Sequence, residues 1–236
     1  MSIIGTIKNF TKQVQSNGMS QALRSLVRRG YGRFQEWRLG VYTDAVIDLS
    51  EFGINNQEYK YYSASDYVSI PEIVKALGIA PAEHVFLDFG AGMGRAMISA
   101  AMYPFQRVMG VEISEELSDI AKQNFVHCKH KLRCQQIEIA TANAAAYTIP
   151  PDVTLVYFNN PFYGEVLSAV LANLRLSLMA TPRELLVVCN LPRESKFETQ
   201  IKDYAWLSLQ QHFTLSENRL CFIYTATPAA APTENS

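Results

Sequence analysis

Short apolar runs alternate with amphipathic stretches through the middle of this chain. Residues 85–88, 108–112, 132–139, 153–159 and 185–190 are each brief, apolar and bounded by turn residues, the pattern of buried strands. Between them, residues 96–102, 115–125 and 165–178 carry apolar side chains at helical spacing. Residues 70–77 predict a further amphipathic helix ahead of the first strand. Ser114 suits the N-cap of the 115–125 helix, with Glu115 and Glu116 in its favoured first turn. Strands alternating with helices predict a parallel sheet with right-handed crossovers. The end departs from this rhythm. Residues 206–213 and 219–226 are strand-like runs joined by only residues 214–218, a link that permits a hairpin and not a parallel crossover. The expected architecture is α/β: a mostly parallel seven-stranded sheet with an antiparallel C-terminal hairpin. A plain dinucleotide-binding fold would end on a parallel strand.

The first 60 residues follow another pattern. Ile3, Ile7, Phe10, Val14, Ala22, Leu23, Leu26 and Val27 recur at helical spacing. Residues 1–40 hold Lys8, Lys12, Arg24, Arg28, Arg29, Arg33 and Arg38 against Glu36, a net +6, so the remainder of this −1 chain carries −7. A basic amphipathic helical extension over 1–60 is expected. Two roles suit it: a cap whose arginines face water or pair with the acidic domain, favoured here, or contact with an anionic membrane surface. The slightly acidic whole gives no support to sequence-specific nucleic-acid binding. A main domain over 61–226 and a Pro- and Ala-containing tail over 227–236, expected to lack order, complete the division.

At 236 residues, with 48% apolar and 18% charged positions, the chain suits one globular domain plus the extension. It holds no apolar run of membrane-spanning length, and its N-terminus lacks a secretory layout. The four cysteines, Cys128, Cys134, Cys189 and Cys221, form no C-x-x-C pair, so a reduced, cytoplasmic protein is expected. His127, Cys128, His130 and Cys134 fit no zinc spacing, and no metal is expected.

The chemistry concentrates at the strand ends. The first strand ends in Asp88, and Gly90, Gly92 and Gly94 follow before a helix. Glycines serve where a backbone turns sharply or meets a ligand closely, and the helix N-terminus behind offers unpaired N–H groups. The second strand ends in Glu112, 24 residues after Asp88, where a nucleotide-like ligand presents its ribose hydroxyls. The dinucleotide fingerprint G-x-G-x-x-G would require glycine at position 95, which is Arg95. This D-x-G-x-G-x-G loop resembles that of the class I S-adenosylmethionine (SAM)-dependent methyltransferases, whose fold is Rossmann-like. The resemblance implies that the loop packs on the methionine and ribose part of SAM, that Glu112 accepts from the ribose hydroxyls, and that Asn143 touches the adenine amino group.

The strand at 153–159 runs into Asn159-Asn160-Pro161-Phe162, then Tyr163 and Gly164. Asn can accept a hydrogen bond from an amine, Pro161 restricts the backbone, and Phe162 or Tyr163 supplies an aromatic wall suited to cations. The element is similar to the [D/N]-P-P-[Y/F] motif of amino-group methyltransferases with one proline missing. It also resembles an Asn-Asn-containing element of the non-SET histone-lysine methyltransferases. That family carries a Tyr-x-x-Thr/Ser element before its first strand, which Tyr62, Ser65 and Tyr67 match, with Ala64 where the family has an acid. Ser63, Ser65 and Asp66 are also ordinary N-caps for the helix that follows.

The reading is a SAM-dependent methyltransferase acting on an amine or amide nitrogen of an unidentified acceptor, a protein side chain among the candidates. Asn160, Pro161 and Phe162 are the expected catalytic residues. Tyr62, Ser65, Tyr67, Asp88, Gly90, Gly92, Gly94, Glu112, Asn143 and Asn159 are the expected cofactor-binding residues. A non-catalytic interaction subunit on the same fold and a nicotinamide-dependent oxidoreductase are the alternatives.

Overall fold

The computed structural model describes residues 19–216 and 218–228. The expectations for Ile3, Ile7, Phe10, Val14, Lys8, Lys12 and residues 229–236 fall outside that range. Helix α1 (Met19–Leu39) is followed by a non-helical strap that holds the two-residue strands β1 (Val46–Ile47) and β2 (Tyr62–Ser63), paired antiparallel. The main domain then runs α2 (Ser69–Leu77), β3 (Val85–Phe89), α3 (Arg95–Ala101), β4 (Arg107–Glu112), α4 (Glu115–Cys128), β5 (Ile137–Thr141), β6 (Leu155–Phe158), α5 (Gly164–Ala180), β7 (Leu185–Pro192), α6 (Lys196–Ile201), β8 (Leu207–Ser216) and β9 (Arg219–Ala226).

The sheet order is β5-β4-β3-β6-β7-β9-β8. Strands β3 to β7 are parallel, and β9 inserts antiparallel between β7 and β8. This is the seven-stranded sheet with a reversed C-terminal hairpin read from the sequence. Successive strand residues serve opposite faces. Val85, Leu87 and Phe89 join Val156 and Phe158 in one core, closed by Leu167, Val170, Leu171 and Leu174 of α5. Phe86, Leu155 and Tyr157 face the other way, onto α2, α3 and α4. Because both faces are covered, the strands carry nearly continuous apolar runs.

The sheet order reverses direction between β3 and β6, and their carboxyl ends open a crevice there, the usual ligand site in such sheets. The chain delivers Gly90 and Asn159 to that crevice from adjacent strands.

Three expectations need correction. The third strand begins at Ile137 and not at 132. Leu132 and Cys134 are buried, but the Arg133 and Cys134 N–H groups donate to the Ala101 carbonyl at 2.9 and 3.0 Å. This stretch caps the end of α3 and does not join the sheet. The extension is helical only to Leu39; Asp48 caps a single 3-10 turn, and Gly53 ends it in the left-handed region. None of Ser63, Ser65 or Asp66 side chains caps α2, whose N-cap is Val68; Asp66 pairs instead with Arg28 at 3.6 Å. Ser114 does cap α4, its hydroxyl accepting from the Leu117 N–H at 3.2 Å. Helix α6 has no counterpart in the apolar pattern, being short and capped by Ser195.

Candidate active site

The crevice encloses about 710 Å³ of space, counting the part open to solvent. Tyr62, Ser65, Asp88, Gly90, Glu112, Asn159, Asn160, Pro161 and Phe162 all line it. Three motifs far apart in sequence therefore meet in one place.

The contacts at two glycines show how. Gly90 has φ +77° and lies against Pro161, so that a Cβ there would collide with the proline ring. Gly92 has φ +55° and lies against the Tyr62 ring, which a Cβ would overlap. The loop is thus fitted to the Asn-Asn-Pro-Phe element on one side and to the tyrosine strap on the other. Gly94 and Tyr67 stand behind the crevice. Gly94 lets α3 approach Phe125, whose ring would lie 2.8 Å from a Cβ. Tyr67 is buried with the Arg95 guanidinium 4.9 Å from its ring centre. Both support the wall and do not form it.

Glu112 is 5% exposed. One carboxylate oxygen accepts from the Gly92 N–H at 2.7 Å and the other from the Ser114 N–H at 3.0 Å. A carboxylate has about four acceptor sites, so two remain for hydroxyl donors in the crevice. Burial raises its pKa, and the backbone N–H bonds oppose that rise. Asp88 is 2% exposed, and its Oδ1 has no partner. Burial pushes its pKa up to about 8, with the Glu112 charge a second cause. An orphaned buried carboxylate costs free energy until a donor reaches it.

Asn159 is pinned: its amide N–H donates to the Ser63 carbonyl at 3.2 Å, and Arg219 donates to its oxygen. Asn160 is one of two non-glycine residues at positive φ among those described, at +54°. Asn enters this left-handed region more readily than most side chains, and the turn it makes there leads from the strand end into Pro161. Phe162 is buried at the back, edge-on to Tyr59 with ring centres 6.3 Å apart.

Asn143 lies outside the lining. Its side-chain oxygen accepts from the Ala145 N–H at 2.9 Å and from the Tyr59 hydroxyl at 3.1 Å. Both its lone pairs are used, so an adenine contact there requires the Tyr59 hydroxyl to give way.

Several residues with no local sequence signal complete the site. Arg95 is buried and donates to Thr43 Oγ1 at 2.6 Å, the Ser65 carbonyl at 3.3 Å and Glu36 at 3.1 Å, tying α1 and the strap to the start of α3. Tyr62 donates to the Thr43 carbonyl at 2.8 Å. Glu58 accepts from the Glu165 and Val166 N–H groups at 3.0 and 2.9 Å, a carboxylate cap on α5 from over a hundred positions away. The Lys60 N–H donates to the Pro161 carbonyl and the Tyr163 N–H to the Glu58 carbonyl. Their only forewarning was the chance that an acid meets a helix N-terminus. The cysteines took no part: Cys128 and Cys134 are buried in helix packing, while His127 and His130 are exposed.

A family model for the histone methylation protein DOT1 matches residues 54–178, more than half of the chain. The chain belongs to the DOT1 histone methylation protein family. The DOT1 match starts inside the strap and takes in the glycine loop, Glu112 and the Asn-Asn-Pro-Phe element. Solved structures agree on the fold. The O-MT segment of StiE, residues 942–1257, aligns with TM-score 0.53 and 12% identity over 70% of this chain and 75% of that one. The Escherichia coli protein yhhF gives TM-score 0.51 and 15% identity over 67% and 84%, and Haemophilus influenzae HI0767 gives 0.50 and 15% over 68% and 99%. No curated protein sequence matches the chain. The DOT1-family chain thus has the class I, Rossmann-like methyltransferase fold, and its cofactor is SAM. The residues present fit that cofactor: Asp88 lacks a donor that an ammonium supplies, and Glu112 keeps acceptor sites for ribose hydroxyls.

Proposed function

We propose that this DOT1-family methyltransferase acts on an amine or amide nitrogen, with a protein side chain as the acceptor class. The observation that supports this reading is Asn160, held at φ +54° in the crevice wall between the pinned Asn159 and the Pro161 that abuts the glycine loop. The histone methylation after which the family is named points the same way.

Bound SAM supplies a sulfonium methyl, which passes to the acceptor nitrogen as that nitrogen's lone pair forms the new N–C bond and the S–C bond breaks. The chain's contribution is positioning, which can supply a large part of the rate. Asn160 accepts a hydrogen bond from the nitrogen and aims its lone pair. The amide is too weak a base to take a proton at neutral pH, so an amine acceptor enters uncharged and its product sheds a proton to solvent. Phe162 and Tyr59 close the apolar side. Tyr163, next in the chain after the lining residue Phe162, carries Lys60 and Lys196 ammonium groups 4.4 and 4.5 Å from its ring centre.

The test is methyl transfer from labelled SAM into a fractionated cell extract, followed by hydrolysis of the labelled material. Recovery of N-methylated amino acids is expected, with Asn160→Ala lowering kcat by about a hundredfold while S-adenosylhomocysteine affinity holds. Label in RNA or in small molecules would overturn the acceptor class. Intact S-adenosylhomocysteine binding with no transfer into any fraction would favour a non-catalytic subunit.

A further inference from the structure

Helix α1 is mounted the wrong way round for a helix whose task is to fill a core. The side that meets the domain is mostly polar, with Leu39 at the helix end buried among apolar neighbours. Arg28 pairs there with Asp66 and Glu72 at 3.6 and 3.3 Å, and Glu36 with Arg95 at 3.1 Å. Gln35 is buried on the same side, and a Cβ at Gly32 would lie 3.8 Å from the Tyr67 ring. The apolar side faces outward: Met19, Leu23, Leu26, Val27, Phe34 and Trp37 are all exposed, Val27 at 63% and Trp37 at 79%. At about 100° per residue these six fall within an arc of roughly 100°, opposite the docked side. Arginines border that arc along both edges, Arg29 and Arg33 on one and Arg24 and Arg38 on the other. None of these four is in an ion pair among the described residues.

We propose that this stripe docks on an anionic lipid surface, with α1 lying in the headgroup plane. The occupant follows from the charge. A continuous apolar arc with a large aromatic side chain, edged by arginines, matches the interface of apolar tails and negative headgroups on both counts. A second copy of α1 would bring arginine edges against arginine edges. Nucleic acid would leave the apolar arc without a partner. The ion pairs beneath keep the domain attached while the outer face is engaged.

The full-length protein is tested by co-sedimentation with phosphatidylcholine vesicles and with phosphatidylcholine–phosphatidylglycerol vesicles. Binding to the anionic vesicles alone, weakened by salt, is expected. Arg29→Glu/Arg33→Glu weakens it about twenty-five-fold or more, taking about fivefold per arginine. Phe34→Ser/Trp37→Ser weakens it by a similar factor. Both variants leave residues 1–18 intact, so binding that survives both at the parent's strength would overturn the proposal. Equal binding to neutral vesicles, or none to anionic ones, would do so too. A lipid-free dimer abolished by Phe34→Ser/Trp37→Ser would give the face to a second copy. The serine variant melts with its parent if the stripe faces solvent; a large fall in Tm would mean that the stripe packs against the protein itself.

Discussion

The fit between Gly92 and Tyr62 can be isolated by one substitution and its control. In Gly92→Ala the new methyl meets two obstacles. The backbone is at φ +55°, where an L-residue costs about 1–2 kcal/mol. The methyl also overlaps the Tyr62 ring, which cannot swing aside freely because its hydroxyl is held by the Thr43 carbonyl at 2.8 Å. Overpacking of that kind adds about 1–3 kcal/mol. Gly53→Ala is the control: φ is +76°, but nothing lies within 4 Å of the added atom, so only the conformational cost applies. A chain of this length loses roughly 2–4 °C of Tm per kcal/mol. Gly53→Ala should therefore lower Tm by about 4 °C and leave S-adenosylhomocysteine affinity unchanged. Gly92→Ala should lower Tm by about 10 °C and weaken binding at least about tenfold, because it moves a crevice wall and disturbs the Gly92 N–H bond to Glu112. Differential scanning calorimetry and isothermal titration calorimetry read the two quantities. Equal Tm losses in both variants, with unchanged affinity in Gly92→Ala, would refute the claim that this contact shapes the pocket.

Other expectations rest on separate contacts. Asp88 holds its proton more tightly when folded than its unfolded value of 3.8 allows, so its contribution to the ligand-free protein is complete below that value and lost as pH rises through about 8. Asp88→Asn should flatten the fall in Tm across that window and raise Tm at pH 8, while weakening S-adenosylhomocysteine binding; an unchanged Tm–pH profile would contradict the orphaned-carboxylate reading. Arg95→Met removes the cation beside Glu36, which keeps its Thr43 bonds, and should cost about 3 kcal/mol in urea unfolding, with a smaller cost when Glu36→Gln is already present. Glu58→Ala removes two N–H acceptors at the start of α5 and should cost about 1–2 kcal/mol, and hydrogen exchange should show faster opening at Glu165 and Val166.

The parts of this protein that were legible in its sequence are those whose physics is local. β3 is buried at every position and β6 likewise, so each appears as a plain apolar run. The reversed hairpin shows in a link too short for a crossover. Glu112 was found because the end of a second strand is a fixed place in the fold. Leu132 and Cys134 were misassigned because burial against a helix end leaves the same apolar mark as burial in a sheet. The strap stayed hidden for a different reason. Thr43, Glu58, Tyr59 and Arg95 act through partners tens of residues away, and a hydrogen bond across that distance leaves no periodicity behind. Helix α1 was read as amphipathic, but periodicity cannot say which side docks. The cap role favoured from sequence let its arginines face water or pair with the acidic domain, and Arg28 does pair with Asp66 and Glu72; what the pattern could not give is the reversal of the apolar stripe, which faces outward.

That reversal connects the two ends of the molecule. Arg95 begins the helix behind the glycine loop, and it is the residue through which α1 reaches the crevice: Glu36 on one side, the Ser65 carbonyl on the other. Ser65, Tyr62 and Tyr59 belong to the strap that closes over Asp88 and Glu112, and those two carboxyls are almost inaccessible with the strap in place. A ligand that reaches Asp88 must therefore either thread the remaining opening or lift the strap. Lifting it breaks the bonds that tie it to the domain, Asn159 to the Ser63 carbonyl, Lys60 to the Pro161 carbonyl, Tyr163 to the Glu58 carbonyl, Glu58 to the start of α5 and Arg95 to the Ser65 carbonyl, each worth about 1 kcal/mol net, a cost that ligand binding has to outweigh. Weakening those bonds, as in Glu58→Ala, should then raise the association rate for S-adenosylhomocysteine in stopped-flow measurements and raise its dissociation rate at least as much. A threaded entry predicts no change in association. The same substitution thus decides whether the strap is a fixed wall or the moving part through which α1, Arg95 and the cofactor crevice are coupled.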